Sequence, residues 1–200
     1  MAFMEHFFET IRIAEGDPHN LRYHTARLNR TRREIFGCDD PIDLADHITP
    51  PGSGLYRCRI TYGREIETVE YLPYSPRSVH SFRLVLSDIT YPHKATDRRA
   101  IDALFARRGA ADEILIVSPE GRLRDTAIAN IALRRDGRWL TPANPLLPGT
   151  VRARLLDEGL LSPDDLTVED LEQTEGFAVM NAMVGFRPLE HWEILGKEEL

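Results

Sequence analysis

The sequence predicts an α/β protein built as two lobes, on three observations. Segments in which apolar residues alternate stand between segments in which they recur at every third and fourth position, so strands and helices share each part of the chain. The period changes across residues 73–93, where Pro73, Pro76 and Pro92 interrupt regular structure. The chain has 200 residues, 42% hydrophobic and 28% charged, which are ordinary globular values and enough for one domain or two small ones. A small lobe over residues 1–85 and a larger one over 86–200 follow.

Phe7 to Ile13 alternates and closes on Glu15-Gly16-Asp17-Pro18, a strand followed by a turn. Leu21, His24, Leu28, Arg32 and Ile35 then share one helical face, and Gly37 supplies the stop. After the connection Thr49 to Gly54, the runs Leu55 to Tyr62 and Ile66 to Leu72 flank Gly63-Arg64 as a hairpin. Ser81 to Ile89 reads as another strand. From Ala95 the spacing of Ile101, Leu104 and Phe105 predicts a helix that Gly109 ends. Glu113 to Val117, Leu123 to Leu133 and Trp139 to Thr141, with turn residues between them, predict a meander of strands. Gly149 opens a helix over Val151 to Glu158, Thr167-Val168-Glu169-Asp170 marks a helix start, and Phe177 to Val184 reads as a buried strand.

Composition excludes several classes of function. A net charge of −7 leaves no basic excess for a nucleic-acid backbone. The longest apolar stretch, Phe177 to Phe186, is too short to span a membrane and contains Asn181, so no membrane partner is expected. The first residues show no basic region, apolar run or cleavage site of a secretory signal, which predicts a cytoplasmic location. Cys38 and Cys58 form no disulfide framework, and no Cys/His cluster has metal-ligand spacing, so no metal is expected.

Chemistry that needs an amine has few candidates, because only two of the 25 basic side chains are lysines. Lys197 lies in the charged tail Gly196-Lys197-Glu198-Glu199-Leu200, whereas Lys94 stands in Tyr91-Pro92-His93-Lys94-Ala95-Thr96-Asp97-Arg98, after a strand and before a helix. Downstream, Asp125 and Asn130 lie five residues apart, and Leu146 to Arg152 places Gly149 at a helix entrance whose amides suit a phosphate. Taken singly, these residues read equally as a surface lysine, a solvated turn acid and an ordinary glycine before a helix. Arg57 and Arg59 share one face of their strand and suit a carboxylate, or remain surface arginines.

Together the motifs resemble the class IV aminotransferase superfamily, the fold-type IV pyridoxal-phosphate enzymes. The resemblance runs from Phe8 to Pro188 and is strongest in four places. These are Phe8-Glu9-Thr10-Ile11-Arg12 with Leu21-x-x-His24-x-x-Arg27-Leu28, Lys94-x-x-Asp97-Arg98, Asp125-x4-Asn130, and Leu147-Pro148-Gly149-Thr150-x-Arg152. The resemblance implies a two-lobe fold like that of D-amino acid aminotransferase, a homodimer, and pyridoxal 5′-phosphate between the lobes. It implies that Lys94 carries the cofactor as a Schiff base and moves protons at the substrate's α-carbon. Asp125, where relatives have Glu, pairs with the pyridine nitrogen, and Asn130 orients the ring or orders the turn. Arg27, Thr150 and Val151, with Gly149 at the helix entrance, hold the phosphate.

Asn181-Ala182, within Val179 to Gly185, matches the loop over the substrate and is closer to aminodeoxychorismate lyase than to branched-chain aminotransferases. Relatives carry a further strand and Gly-rich turn before Phe8, so a truncated small lobe is expected. Three functions follow: a lyase acting on an amino acid such as aminodeoxychorismate, an amino acid aminotransferase, or a non-catalytic binder of the cofactor.

Overall fold

The computed structural model describes residues 5–196, and the chain divides into two units. The first comprises Met1–Pro76 with His93–Asp97, and the second Arg77–Pro92 with Arg98–Leu200. The expected division at residue 85 is thus shifted, because the strand that begins at Ser81 pairs within the second unit. The Lys94 segment returns to the first unit, tied to its opening strand by Phe8 N donating to Lys94 O at 2.9 Å and Thr96 N to His6 O at 2.8 Å.

In the first unit β1 (Phe7–Ala14), β2 (Asp17–Pro18), β3 (Leu55–Tyr62) and β4 (Ile66–Pro73) form an antiparallel sheet in the order β2-β1-β3-β4. Helix α1 (Leu21–Phe36) packs on β1 and stops at Gly37, whose φ of 65° is a left-handed conformation that glycine adopts without strain. Alternation assigns the two faces of the sheet. Phe7, Glu9, Ile11 and Ile13 of β1 and Cys58, Ile60 and Tyr62 of β3 are buried, as is Leu28 on α1. Thr10, Arg57, Arg59 and Thr61 take the other face, with Phe8 buried among them.

The second unit holds two sheets. In the parallel one, β5 (Ser81–Leu86) lies between β6 (Glu113–Val117) and β12 (Glu193–Leu195). The other is mixed, with β7 (Asn130–Arg135), β8 (Arg138–Pro142), β9 (Ser162–Asp164), β10 (Gly176–Asn181) and β11 (Gly185–Leu189) in the order β11-β10-β7-β8-β9. Helices α2 (Arg99–Ala106), α3 (Thr150–Asp157) and α4 (Asp170–Gln173) pack against β6, β10 and β7. Phe82, Leu115, Leu123, Ile131, Leu133 and Phe177 close one apolar core, and Ala132, Val151, Leu155, Ala178 and Met180 another.

The predicted meander holds for β7 and β8, which pair antiparallel, whereas Glu113 to Val117 pairs in parallel with β5 and not with β7. Residues 123–129 are also no continuous strand. Leu123 makes a single bridge to Val117, and the Thr126 hydroxyl accepts from Ile128 N and Ala129 N, closing a turn before β7. The helix expected from Ala95 begins at Arg99 because residues 93–97 are held against β1. Strand β5 stops at Leu86 instead of Ile89. Strand β10 stops at Asn181, whose side chain caps a turn into β11. Among the described residues no helix is long and apolar enough to cross a membrane.

Candidate active site

Lys94 sits on a short edge segment laid against β1, with Ala95 bridging Phe7. The preceding His93 fixes this segment to α1: its Nδ1 is 3.1 Å from the Thr31 hydroxyl, its Nε2 3.3 Å from Glu34, and its ring meets Phe7 edge-on. Lys94 is half-buried, and its Nζ lies 4.6 Å from the centroid of the Phe8 ring. The guanidinium of Arg59 lies 4.0 Å from the same centroid, although Glu70 stands directly opposite Arg59 on β4. Both cations use the negative face of one aromatic ring. Of the two arginines on β3, then, Arg59 is the one brought to the lysine, and Arg57 lies two residues farther along the same face, exposed.

On the opposite face of β1, Glu9 is fully buried against α1. Its Oε1 accepts from Arg27 Nε at 2.9 Å and its Oε2 from Arg27 Nη2 at 2.6 Å, while His24 Nδ1 lies 2.6 Å from Oε2. Burial alone raises a carboxyl's proton affinity. Here Arg27 and His24 outweigh it and hold Glu9 down at about 2, so it stays ionised. The buried His24 is pushed below its ordinary value by desolvation and is neutral at pH 7. A neutral imidazole and a guanidinium fork therefore share one carboxylate, which fixes the orientation of Arg27. The sequence marked His24 and Arg27 one helical turn apart but gave Glu9 no role; its place on the inward face of an alternating strand was the available signal.

In the second unit two distant motifs become one hydrogen-bonded group. Asp125, 3% exposed, accepts from Asn130 Nδ2 on one oxygen and from Leu147 N on the other, both at 2.8 Å. Asn130 Nδ2 also donates to Leu147 O at 2.8 Å. Gly149 then caps α3 in extended conformation, and a Cβ there would lie 2.0 Å from Asn130 Oδ1, so the helix entrance packs directly on the amide that holds Asp125. The start of α3 presents the Thr150 and Val151 amides that an N-terminal turn cannot bond internally, and both side chains are buried. Burial pushes the Asp125 carboxyl up to about 6 against the pull of these donors and of Arg152. A buried anion held by neutral donors is one that a cationic partner would stabilise.

Arg152 and Asn181 complete this side. Arg152 is buried, donates from Nη2 to Pro142 O at 2.8 Å, and favours the charged form of Asp125. The Asn181 side chain accepts from Met183 N and Val184 N and donates to Ile128 O at 3.3 Å, which ties the Asn181-Ala182 turn to the loop after Asp125. Lys197 lies outside the described residues.

An uncharacterized protein of Haemophilus influenzae is 36% identical over 184 residues, covering 89% of this chain and 97% of its own. A structure from Haemophilus somnus, provisionally named a 4-amino-4-deoxychorismate lyase, has a TM-score of 0.84 at 33% identity and covers 92% of this chain and 99% of its own. One from Mesorhizobium loti, provisionally named an amino-acid aminotransferase, has a TM-score of 0.76 at 25% identity, covering 96% of this chain and 100% of its own. The model of amino-transferase class IV matches residues 6–192, a span that takes in the Glu9 and Arg27 pair, Lys94, Asp125 and Gly149, and the chain belongs to that family.

Proposed function

We propose that this protein is a pyridoxal-phosphate-dependent lyase resembling aminodeoxychorismate lyase, acting on an amino acid of that kind through Lys94. The observation that carries the proposal is the union of Asp125, Asn130, Leu147 and Gly149 in one group. It places a buried carboxylate, raised to about 6, beside a helix entrance. A protonated pyridine nitrogen and a phosphate are the complements of those two features. The donor set therefore fits the cofactor of the family.

When bound, pyridoxal phosphate supplies a sink for the electron pair left at the substrate's α-carbon. Lys94 Nζ would attach the cofactor and afterwards take the α-proton, for which a free amine held close to the carbon is suited. The electron pair left behind expels the enolpyruvyl group, which leaves as pyruvate once protonated, and the amine-bearing ring becomes aromatic. Asp125 keeps the pyridine nitrogen protonated, and Asn130 keeps the carboxylate in place. Arg27, oriented by Glu9, and the Thr150 and Val151 amides hold the phosphate. Arg59, beside Lys94, receives the substrate's carboxylate, with Arg57 on the same face, and Asn181-Ala182 contacts the rest of the substrate. The same reading carries a homodimer in the cytoplasm.

The lyase reading draws on the name of the Haemophilus somnus relative and on the Asn181-Ala182 loop. That of the Mesorhizobium loti relative favours an aminotransferase as the second reading, with the same first proton transfer. The purified, cofactor-loaded protein is to be incubated with 4-amino-4-deoxychorismate and, separately, with a panel of amino acids and a 2-oxo acid. Release of pyruvate and an aromatic amine from the first supports the lyase; amino transfer in the second without pyruvate from the first replaces it with the transaminase. No turnover in either leaves a non-catalytic binder.

A further inference from the structure

Glu113 opens β6 with only 3% of its surface exposed, and none of the roles above uses it. A buried carboxylate is unfavourable unless it accepts hydrogen bonds. Its Oε1 accepts from Ile114 N at 2.9 Å and from Ala127 N at 3.3 Å. The other backbone group of Ala127, its carbonyl, accepts from Arg98 Nη2 at 2.9 Å. One residue is thereby gripped from both sides, by an acid on its N–H and a guanidinium on its C=O.

Ala127 lies two residues beyond Asp125, inside the turn that separates Asp125 from Asn130. The turn is closed on itself by Thr126 N donating to Ala129 O and by the Thr126 hydroxyl, so it moves as one piece. Strand β6 holds the segment at two points. The first is backbone pairing of Ile116 with Arg124 and Asp125; the second is the Glu113 side chain. Only the second restrains the turn itself, and the turn sets where the Asn130 amide meets the Asp125 carboxylate.

We propose that Glu113 is a positioning residue for Asp125, clamping Ala127 together with Arg98 so that the turn keeps Asp125 dry and aimed. Its consequence for catalysis rests on the cofactor role of Asp125, whereas the placement itself is measurable without cofactor.

The experiment is a carbon-detected NMR titration of the Asp125 carboxyl in the cofactor-free protein, followed by cofactor-binding measurements on the same variants. Burial holds Asp125 at about 6, so water admitted by a loosened turn moves it toward the ordinary 3.8. Glu113→Leu, which keeps bulk and removes the acceptor, is expected to show that fall, and Glu113→Gln, which keeps Oε1, to titrate like the wild type. Arg98→Met removes the other side of the grip from a partly exposed position and is expected to fall in the same direction by less, which keeps the test open should Glu113→Leu fail to fold. Glu113→Leu is also expected to bind pyridoxal phosphate about tenfold more weakly, and Glu113→Gln normally. Unchanged Asp125 titration in Glu113→Leu, or in Arg98→Met where the former does not fold, overturns the proposal. A shifted titration combined with cofactor spectra indifferent to Asp125→Ala supports the positioning role and removes Asp125 from the cofactor site.

Discussion

Glu9→Gln tests the buried pair that orients Arg27. The substitution keeps the shape of the side chain, removes its charge, and turns an amide NH₂ toward the donors of Arg27 and His24. Two routes give the size of the effect. The Glu9 carboxyl lies at about 2 instead of 4.5 in a fully buried site, and at roughly 1.4 kcal/mol per pKa unit the charged form is favoured by about 3 kcal/mol. Removing one partner of a buried ion pair costs about 3–5 kcal/mol, because the surviving charge stays desolvated. Both place the loss near 3 kcal/mol at pH 7, or about 10 °C in melting temperature for a chain of this length. Urea unfolding of the cofactor-free protein at pH 7, followed by circular dichroism, measures it. The double variant Glu9→Gln with Arg27→Leu removes both charges and is expected to recover part of that loss, so the single costs do not add. A Glu9→Gln cost under about 1 kcal/mol, or strict additivity in the cycle, would show that Glu9 and Arg27 are not a coupled buried pair.

Other outcomes follow from the same geometry. Borohydride reduction of the cofactor-loaded protein and peptide mapping are expected to recover the pyridoxyl group on Lys94, and recovery on Lys197 contradicts the assignment. Asp125 has a folded value of about 6 against 3.8, so the folded state holds its proton more tightly than the unfolded one. Its contribution to stability is therefore present below 3.8 and declines by about 3 kcal/mol as pH rises through 6. The stability difference between cofactor-free wild type and Asp125→Ala, measured from pH 4 to 7, should fall accordingly, and a flat difference removes the perturbation. Gly149→Ala would drive a methyl into Asn130 Oδ1 and is expected to weaken cofactor retention about tenfold or more, read by equilibrium dialysis. Arg59→Ala is expected to raise KM more than Arg57→Ala does, since Arg59 alone shares the Phe8 ring with Lys94.

Period and punctuation made most elements legible. β1, α1, β3, β4 and α3 stand within a residue or so of expectation, because each has an alternating or helical stripe bounded by glycine or proline. What failed was pairing across distance. Glu113 to Val117 is apolar at nearly every position, as suits a strand buried on both faces, and nothing local distinguishes its parallel partner β5 from the nearer β7. Leu123, Ala127, Ile128 and Ala129 lead into the apolar β7 and invite a continuous strand, yet the Thr126 hydroxyl takes the amides of Ile128 and Ala129 and turns the chain. The site followed the same rule. Lys94 and Asp125 stood out by scarcity and order; Glu9 is marked only by its inward place on an alternating strand, and Glu113 looks like a surface acid until the fold shows which backbone donors surround it.

The proposed role of Lys94 is that of the base of a lyase acting at the amine-bearing carbon of its substrate. A rapid-quench single turnover of cofactor-saturated wild type and Lys94→Ala with 4-amino-4-deoxychorismate, quantifying pyruvate, addresses it most directly. One pyruvate per wild-type site and none from Lys94→Ala is the expected result. Equal pyruvate from both proteins, or none from the wild type while its α-proton exchanges with solvent, would contradict it.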